Sequence, residues 1–82
     1  MGGNNLSPKR LAEKLKQIRI QKKLSQNEIL QKIGFDGILF QGNVSQYELG
    51  RREPPLLVLL AYARLGEIKV EILIDDNLDL PT

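Results

Sequence analysis

The stretch Leu24 to Pro54, LSQNEILQKIGFDGILFQGNVSQYELGRREP, limits this chain more than any other part of it. It reads as two short helices joined by a turn, the second closed by a glycine. Ser25 with Glu28 three residues on is a capping box, in which the hydroxyl reaches the Glu28 amide and the carboxylate reaches back. Leu24 before the cap and Ile29 after it are spaced as a hydrophobic staple. Ile29, Leu30 and Ile33 give that helix its buried face. Gly34 ends it, because glycine enters the left-handed conformation that a C-terminal cap requires. The second helix of the pair includes Val44 to Leu49 and stops at Gly50. Its start lies between Phe40 and Asn43. The earlier start is preferred, since the later one leaves barely more than a turn, although Gly42 then costs about 1 kcal/mol relative to Ala.

The flanking segments support this pair. Ser7 is placed to cap a first helix with Pro8 at its first position, running to about Lys22. Leu11, Leu15 and Ile18, with Ala12, form an apolar stripe beneath a basic outer face. Between the central helices, Phe35, Ile38, Leu39 and Phe40 are apolar and are expected to be buried. Pro54 and Pro55 let a helix begin, and Leu56 to Leu65 is apolar nearly all round, ending at Gly66. Such a helix is central to the core or half-buried against another protein. Ile68, Val70, Ile72 and Ile74 alternate with Lys69, Glu71, Leu73 and Asp75, the pattern of a strand. A lone strand in a helical domain has nothing to pair with unless a second copy supplies it. Residues 1–7 are read as a flexible N-terminus, 8–74 as the domain, and 75–82, DDNLDLPT, as an irregular acidic tail.

Composition removes whole classes of function. With no cysteine and no histidine, imidazole acid–base chemistry, catalytic triads and most zinc sites are excluded. Asp75, Asp76 and Asp79 match no calcium loop, and no glycine-rich phosphate loop is present. No enzyme, no metal and no cofactor is therefore expected. The longest apolar run, Leu56 to Ala63, falls short of the roughly 20 residues a membrane span needs. A cytoplasmic protein is the expectation. The net charge of +2 conceals an asymmetry: through Arg52 there are ten basic and four acidic residues, and from Glu53 onward two basic and six acidic. A basic front with an acidic rear points to a polyanion on one side, or else to an ordinary solvated surface.

The two central helices have the layout of a helix-turn-helix, whose second helix enters the major groove of DNA. Gln41, Asn43 and Gln46 are the candidates for base readout, because an amide offers a donor and an acceptor together to an adenine edge. Surface amides and caps are the plainer account, and Asn43 with Gln46 itself mimics a capping box. Arg51 and Arg52, just past Gly50, suit phosphate contacts. So do Gln26 and Asn27, where the second helix opens with unpaired amides. Arg19 and Glu48 fall near the inner sides of the first and third helices. Buried charges demand partners, so an ion pair between them is expected.

These residues together resemble a known family. LSQNEILQKIG, then VSQYELGRREP, then LLVLLAYARLG are similar to the Xre family of bacterial transcription regulators, relatives of the lambdoid phage repressor and Cro proteins. The likeness runs from about Leu11 to Ile74. It implies an all-α, five-helix repressor-like domain, and so a helical rather than extended segment at Ile68 to Ile74. It implies that Gln26 contacts backbone phosphate, that Ser45 and Glu48 belong to the recognition helix, and that Arg19 pairs with Glu48. Gln41 and Gln46 fall where family members place base-reading side chains. Gly50, Arg51 and Pro54 match the glycine, basic residue and proline that follow. Between Gly34 and Glu48 the chain is about four residues longer than the usual spacing, which enlarges the turn before Gln41 and Asn43. Gly42 also stands where a contacting side chain is common.

The resulting expectation is a regulator that binds double-stranded DNA, with Ser45 also at the backbone. It would act as a homodimer through the apolar fourth helix with Leu73, Leu78 and Leu80 nearby, and without a small-molecule effector. The rival is a protein-interaction or antitoxin-like helical module that keeps the fold without reading DNA.

Overall fold

The computed structural model describes residues 6–81. They form α1 (Leu11–Gln21), α2 (Gln26–Ile33), α3 (Gln41–Glu48), α4 (Leu56–Leu65) and α5 (Val70–Ile74). The N-terminal segment expected to be flexible lies almost wholly outside the described residues. All five helices feed one core: Leu11, Leu15 and Ile18 from α1, Ile29 and Leu30 from α2, Val44 and Tyr47 from α3, Val58, Leu59, Tyr62 and Ala63 from α4, and Leu73 from α5. Each buried Val, Leu or Ile side chain among them contributes about 1.5–3 kcal/mol by leaving water, and α1 and α4 supply most of the core.

Local signals fix the central pair. Ser25 Oγ accepts the Glu28 amide at 3.0 Å, and Glu28 Oε1 accepts the Ser25 amide at 2.7 Å. Leu24 packs against the core, and Gly34 closes α2 at φ +81°. α3 takes the earlier of the two starts, with Phe40 as its cap residue and Gln41 as its first. The enlarged turn corrects one expectation. Phe35 and Leu39 pack on the core, with the Leu39 amide donating to the Phe35 carbonyl at 2.8 Å, but Ile38 and Phe40 are 68% and 67% exposed. The enlarged turn sends Phe35 and Leu39 inward and leaves Ile38, between them, and Phe40, after them, outside.

The first helix opens three residues later than Ser7 and Pro8 indicate. Arg10 is its cap residue, and Ser7 does not cap it. The Asp76 carboxylate accepts the backbone amides of Lys9 at 2.9 Å and Arg10 at 3.0 Å, holding the chain out of the helix up to Leu11. The described part of the acidic tail, residues 75–81, has no helix or strand and lies along α1. Arg10 bonds the Asp76 carbonyl at 2.8 Å and pairs with the Asp79 carboxylate. These contacts hold both carboxyls below their ordinary value of 3.8: the two backbone amides come first at Asp76, the Arg10 hydrogen bond at Asp79.

Lys14 sits on the apolar stripe of α1, three residues after Leu11 and four before Ile18, and is 3% exposed. Its ammonium donates to the Ile72 carbonyl at 2.8 Å and the Asp75 carbonyl at 3.0 Å, closing the C-terminal end of α5. Of the segment Ile68 to Ile74, Val70–Ile74 is helical and Lys69 is its extended cap residue, so the strand expected from the alternation does not form. Its period-two pattern misleads about the buried face, because Leu73 is fully buried while Ile74 is 46% exposed. Leu73 is therefore removed from the expected dimer surface.

α4 is buried along Val58, Leu59, Tyr62 and Ala63, yet Leu56 and Leu57 stand 83% and 70% exposed. Gly66 ends it in a right-handed conformation, and the left-handed residue is the next one, Glu67, at φ +57°. Glycine at 66 answers a packing demand: a Cβ there would lie 3.3 Å from Ile18 Cδ1. None of the described helices is long and apolar enough to cross a membrane.

Candidate nucleic-acid interface

The α2–α3 pair is set by a charged link to α1. Arg19 Nε donates to Glu48 Oε2 at 2.7 Å and Arg19 Nη2 to Glu48 Oε1 at 3.0 Å, a two-pronged pair with side-chain exposures of 15% and 4%. The third guanidinium nitrogen donates to the Leu24 carbonyl at 2.9 Å, tying in the turn before α2. The hydrogen bond to Glu48 is the main reason the Arg19 guanidinium is held above its ordinary value.

The same carboxylate organises two amides. Glu48 Oε1 accepts Gln26 Nε2 at 3.2 Å, and Gln26 Oε1 accepts Gln41 Nε2 at 2.9 Å. An ionised carboxylate only accepts, so it fixes which end of Gln26 faces it and leaves the Gln26 oxygen for Gln41. Gln41 is exposed at the first position of α3, retaining its own oxygen and one N–H for a further partner. Those two groups, side by side, match an adenine edge.

The other sequence candidates are less constrained. Asn43 Oδ1 accepts the Phe40 amide at 2.9 Å, so this oxygen caps α3. The reciprocal half of a capping box is lacking, because a phenyl ring offers no acceptor. Gln46 and Ser45 are half-buried, and Asn27 is exposed in the first turn of α2. Arg51 and Arg52 follow Gly50, whose φ of +74° turns the chain sharply at the end of α3. Both are exposed, and neither pairs with an acid among the described residues.

Sequence reasoning missed two functional couplings. The Gln26–Gln41 bond spans the enlarged turn, and no local pattern reports how that turn seats one helix against the other. Lys14 carried a readable signal, a lone lysine at a stripe position, which the basic count of α1 obscured. Among the described residues no three His, Cys, Asp or Glu side chains gather as metal ligands would.

Comparison with known proteins agrees with this geometry. A family profile described as Helix-turn-helix matches residues 15–73, well over half of the chain. Among curated proteins, none matches it. The profile spans the residues that build the Arg19–Glu48–Gln26–Gln41 network and every buried core residue except Leu11. The chain therefore belongs to the lambda repressor-like, Xre-type helix-turn-helix family of DNA-binding domains.

Proposed function

We propose that the protein is a sequence-specific transcription regulator that lays α3 in the major groove of double-stranded DNA. The observation that carries this reading is the bonded run from Arg19 through Glu48 and Gln26 to Gln41, which leaves one amide preset at the head of α3. An immobilised amide gives up less side-chain freedom on meeting a base than a mobile one. Gln41 and Gln46 read bases, with the free NH₂ of Asn43 beside them. Gln26, Asn27, Ser45, Arg51 and Arg52 contact the phosphate backbone. The protein works in the cytoplasm as a homodimer, without catalysis and without a small-molecule effector. Doubling a small set of base contacts by two-fold symmetry is how single domains gain affinity. Leu56 and Leu57, the most exposed leucines of α4, with the half-buried Leu60 beside them, are the surface we assign to the second copy.

Selection of bound duplexes from a random pool tests this directly. Enrichment of a two-fold related site with half-sites about 34–36 Å apart, or a multiple of that, is expected. Gln41→Ala and Gln46→Ala should each relax preference at a different base pair, at a cost of about 1–3 kcal/mol. Arg51→Ala should weaken all sequences alike and lower the salt slope by about one unit. A pool that yields no enriched sequence, with binding to a protein partner that is indifferent to salt, would overturn the proposal in favour of an interaction module.

A further inference from the structure

A cleft of about 390 Å³ opens between the start of α1 and the loop after α3. Lys9 stands on one wall and Arg51 and Arg52 on the other, with Glu53 the only acid lining it. None of these four charges is paired among the described residues. Three cations facing one solvent-filled space repel each other, so the arrangement carries an uncompensated positive field. The turn at Gly50 produces it: a Cβ there would lie 3.7 Å from Ala12 Cβ, so the loop leaves α3 close against α1.

Tyr47 supplies the second observation. It is 4% exposed, lines this cleft, and has no hydrogen-bond partner among the described residues. Among the described residues only the Tyr62 hydroxyl is a fully enclosed orphan. The Tyr47 ring is therefore packed in the core while its hydroxyl keeps an open side toward the cleft. Burial raises the phenol above its ordinary value of 10.0, against the opposing pull of Arg52. At neutral pH it is a fixed donor beside a cation.

We propose that this cleft is a phosphate-binding site, in which Lys9 and the Tyr47 hydroxyl join Arg51 and Arg52 around a single phosphoryl group. For a DNA phosphodiester as the source, the proposal rests on the DNA-binding reading above and adds Lys9 and Tyr47 to the backbone contacts. A free phosphate or phosphorylated small molecule presents the same oxygens. The site reads charge and shape, not sequence.

The test uses Tyr47→Phe, which keeps the buried ring and removes only the donor. In the selected duplex, phosphates are replaced one at a time by neutral methylphosphonates. One position should weaken the wild type about tenfold or more, as expected for a hydrogen bond to a charged group, and should weaken Tyr47→Phe far less. Lys9→Ala should lower the salt slope by about one unit. In parallel, inorganic phosphate is titrated into the full chain, following the NMR signals of Tyr47 and Gly50 to Arg52. Saturable shifts in the wild type that vanish in Tyr47→Phe, with no coupled duplex position, support the site with a free phosphate as its source. If the wild type binds no duplex, the regulator reading fails, and the phosphate titration alone decides the site. Identical behaviour of wild type and Tyr47→Phe in both arms overturns the proposal.

Discussion

Two arginine–carboxylate links, Arg19 with Glu48 and Arg10 with Asp79, share one chemistry and differ in setting. The first has side-chain exposures of 15% and 4%, the second 44% and 78%. The buried link joins α1 to α3, and its carboxylate also orients Gln26. The exposed link joins α1 to the tail beside Asp76. Water and salt screen the second and scarcely reach the first. An ion pair holds its neighbours more firmly the less water reaches it, and the buried pair is the one that lies behind α3.

The largest effect should follow from breaking the buried link on one side. Glu48→Ala leaves a partly buried guanidinium uncompensated and should cost about 3–5 kcal/mol in urea unfolding, with little salt dependence. Replacing both partners, Arg19→Met with Glu48→Leu, should recover most of that loss yet leave DNA discrimination impaired, because Gln26 loses its acceptor. Full recovery of both properties would show that the link does no more than hold the helices. Lys14→Met comes next. It keeps the buried stem and removes the donor to the Ile72 and Asp75 carbonyls, for about 1–3 kcal/mol, with faster hydrogen exchange concentrated in α5.

The exposed link should yield the smaller, condition-dependent change. Asp76 and Asp79 have lowered folded-state pKa values, so their stabilisation is present above about 3.8 and is lost as pH falls through the lower folded values. Thermal unfolding followed from pH 6 to pH 2 should show a decline below pH 4 that is shallower in Asp76→Asn with Asp79→Asn. In 1 M salt the Asp79→Asn effect should nearly vanish, while that of Glu48→Ala persists. Tyr62→Phe lies at the end of the series. Its hydroxyl is enclosed with no partner among the described residues, so removing it should be neutral or gain up to about 1 kcal/mol.

Legibility in the sequence followed the same division between local and distant causes. Ser25 and Glu28 act within one turn at the start of α2 and Gly34 within one turn of its end, and both ends could be read from them. The three- and four-residue spacing of α1 and the apolar run of α4 likewise announced their helices. The start of α1 could not be read, because the amides that lead into it are held by a carboxylate 66 and 67 residues away. The alternation within α5 points to a strand, and only the family likeness points to a helix. Five residues are too few for a helical period to emerge, and the interactions that make them helical are the burial of Leu73 and the cap from Lys14. At the interface, the Arg19–Glu48 pair was visible as two charges on inward faces. The Gln26–Gln41 bond was not, since it depends on a turn whose outward Ile38 and Phe40 run against the expectation that apolar residues are covered.

The Asp76 bridge to Lys9 and Arg10 has a bearing on synthesis. While the ribosome is still extending the chain, the first helix has its apolar stripe but no acceptor for the amides that lead into it. That acceptor arrives only once residue 76 has cleared the exit tunnel. The nascent domain thus waits on its rear to secure its front, and a stop codon in place of Asp75 would release a protein that keeps every fully buried core side chain, lacks Leu80 packed against them, and has its opening turn unfastened.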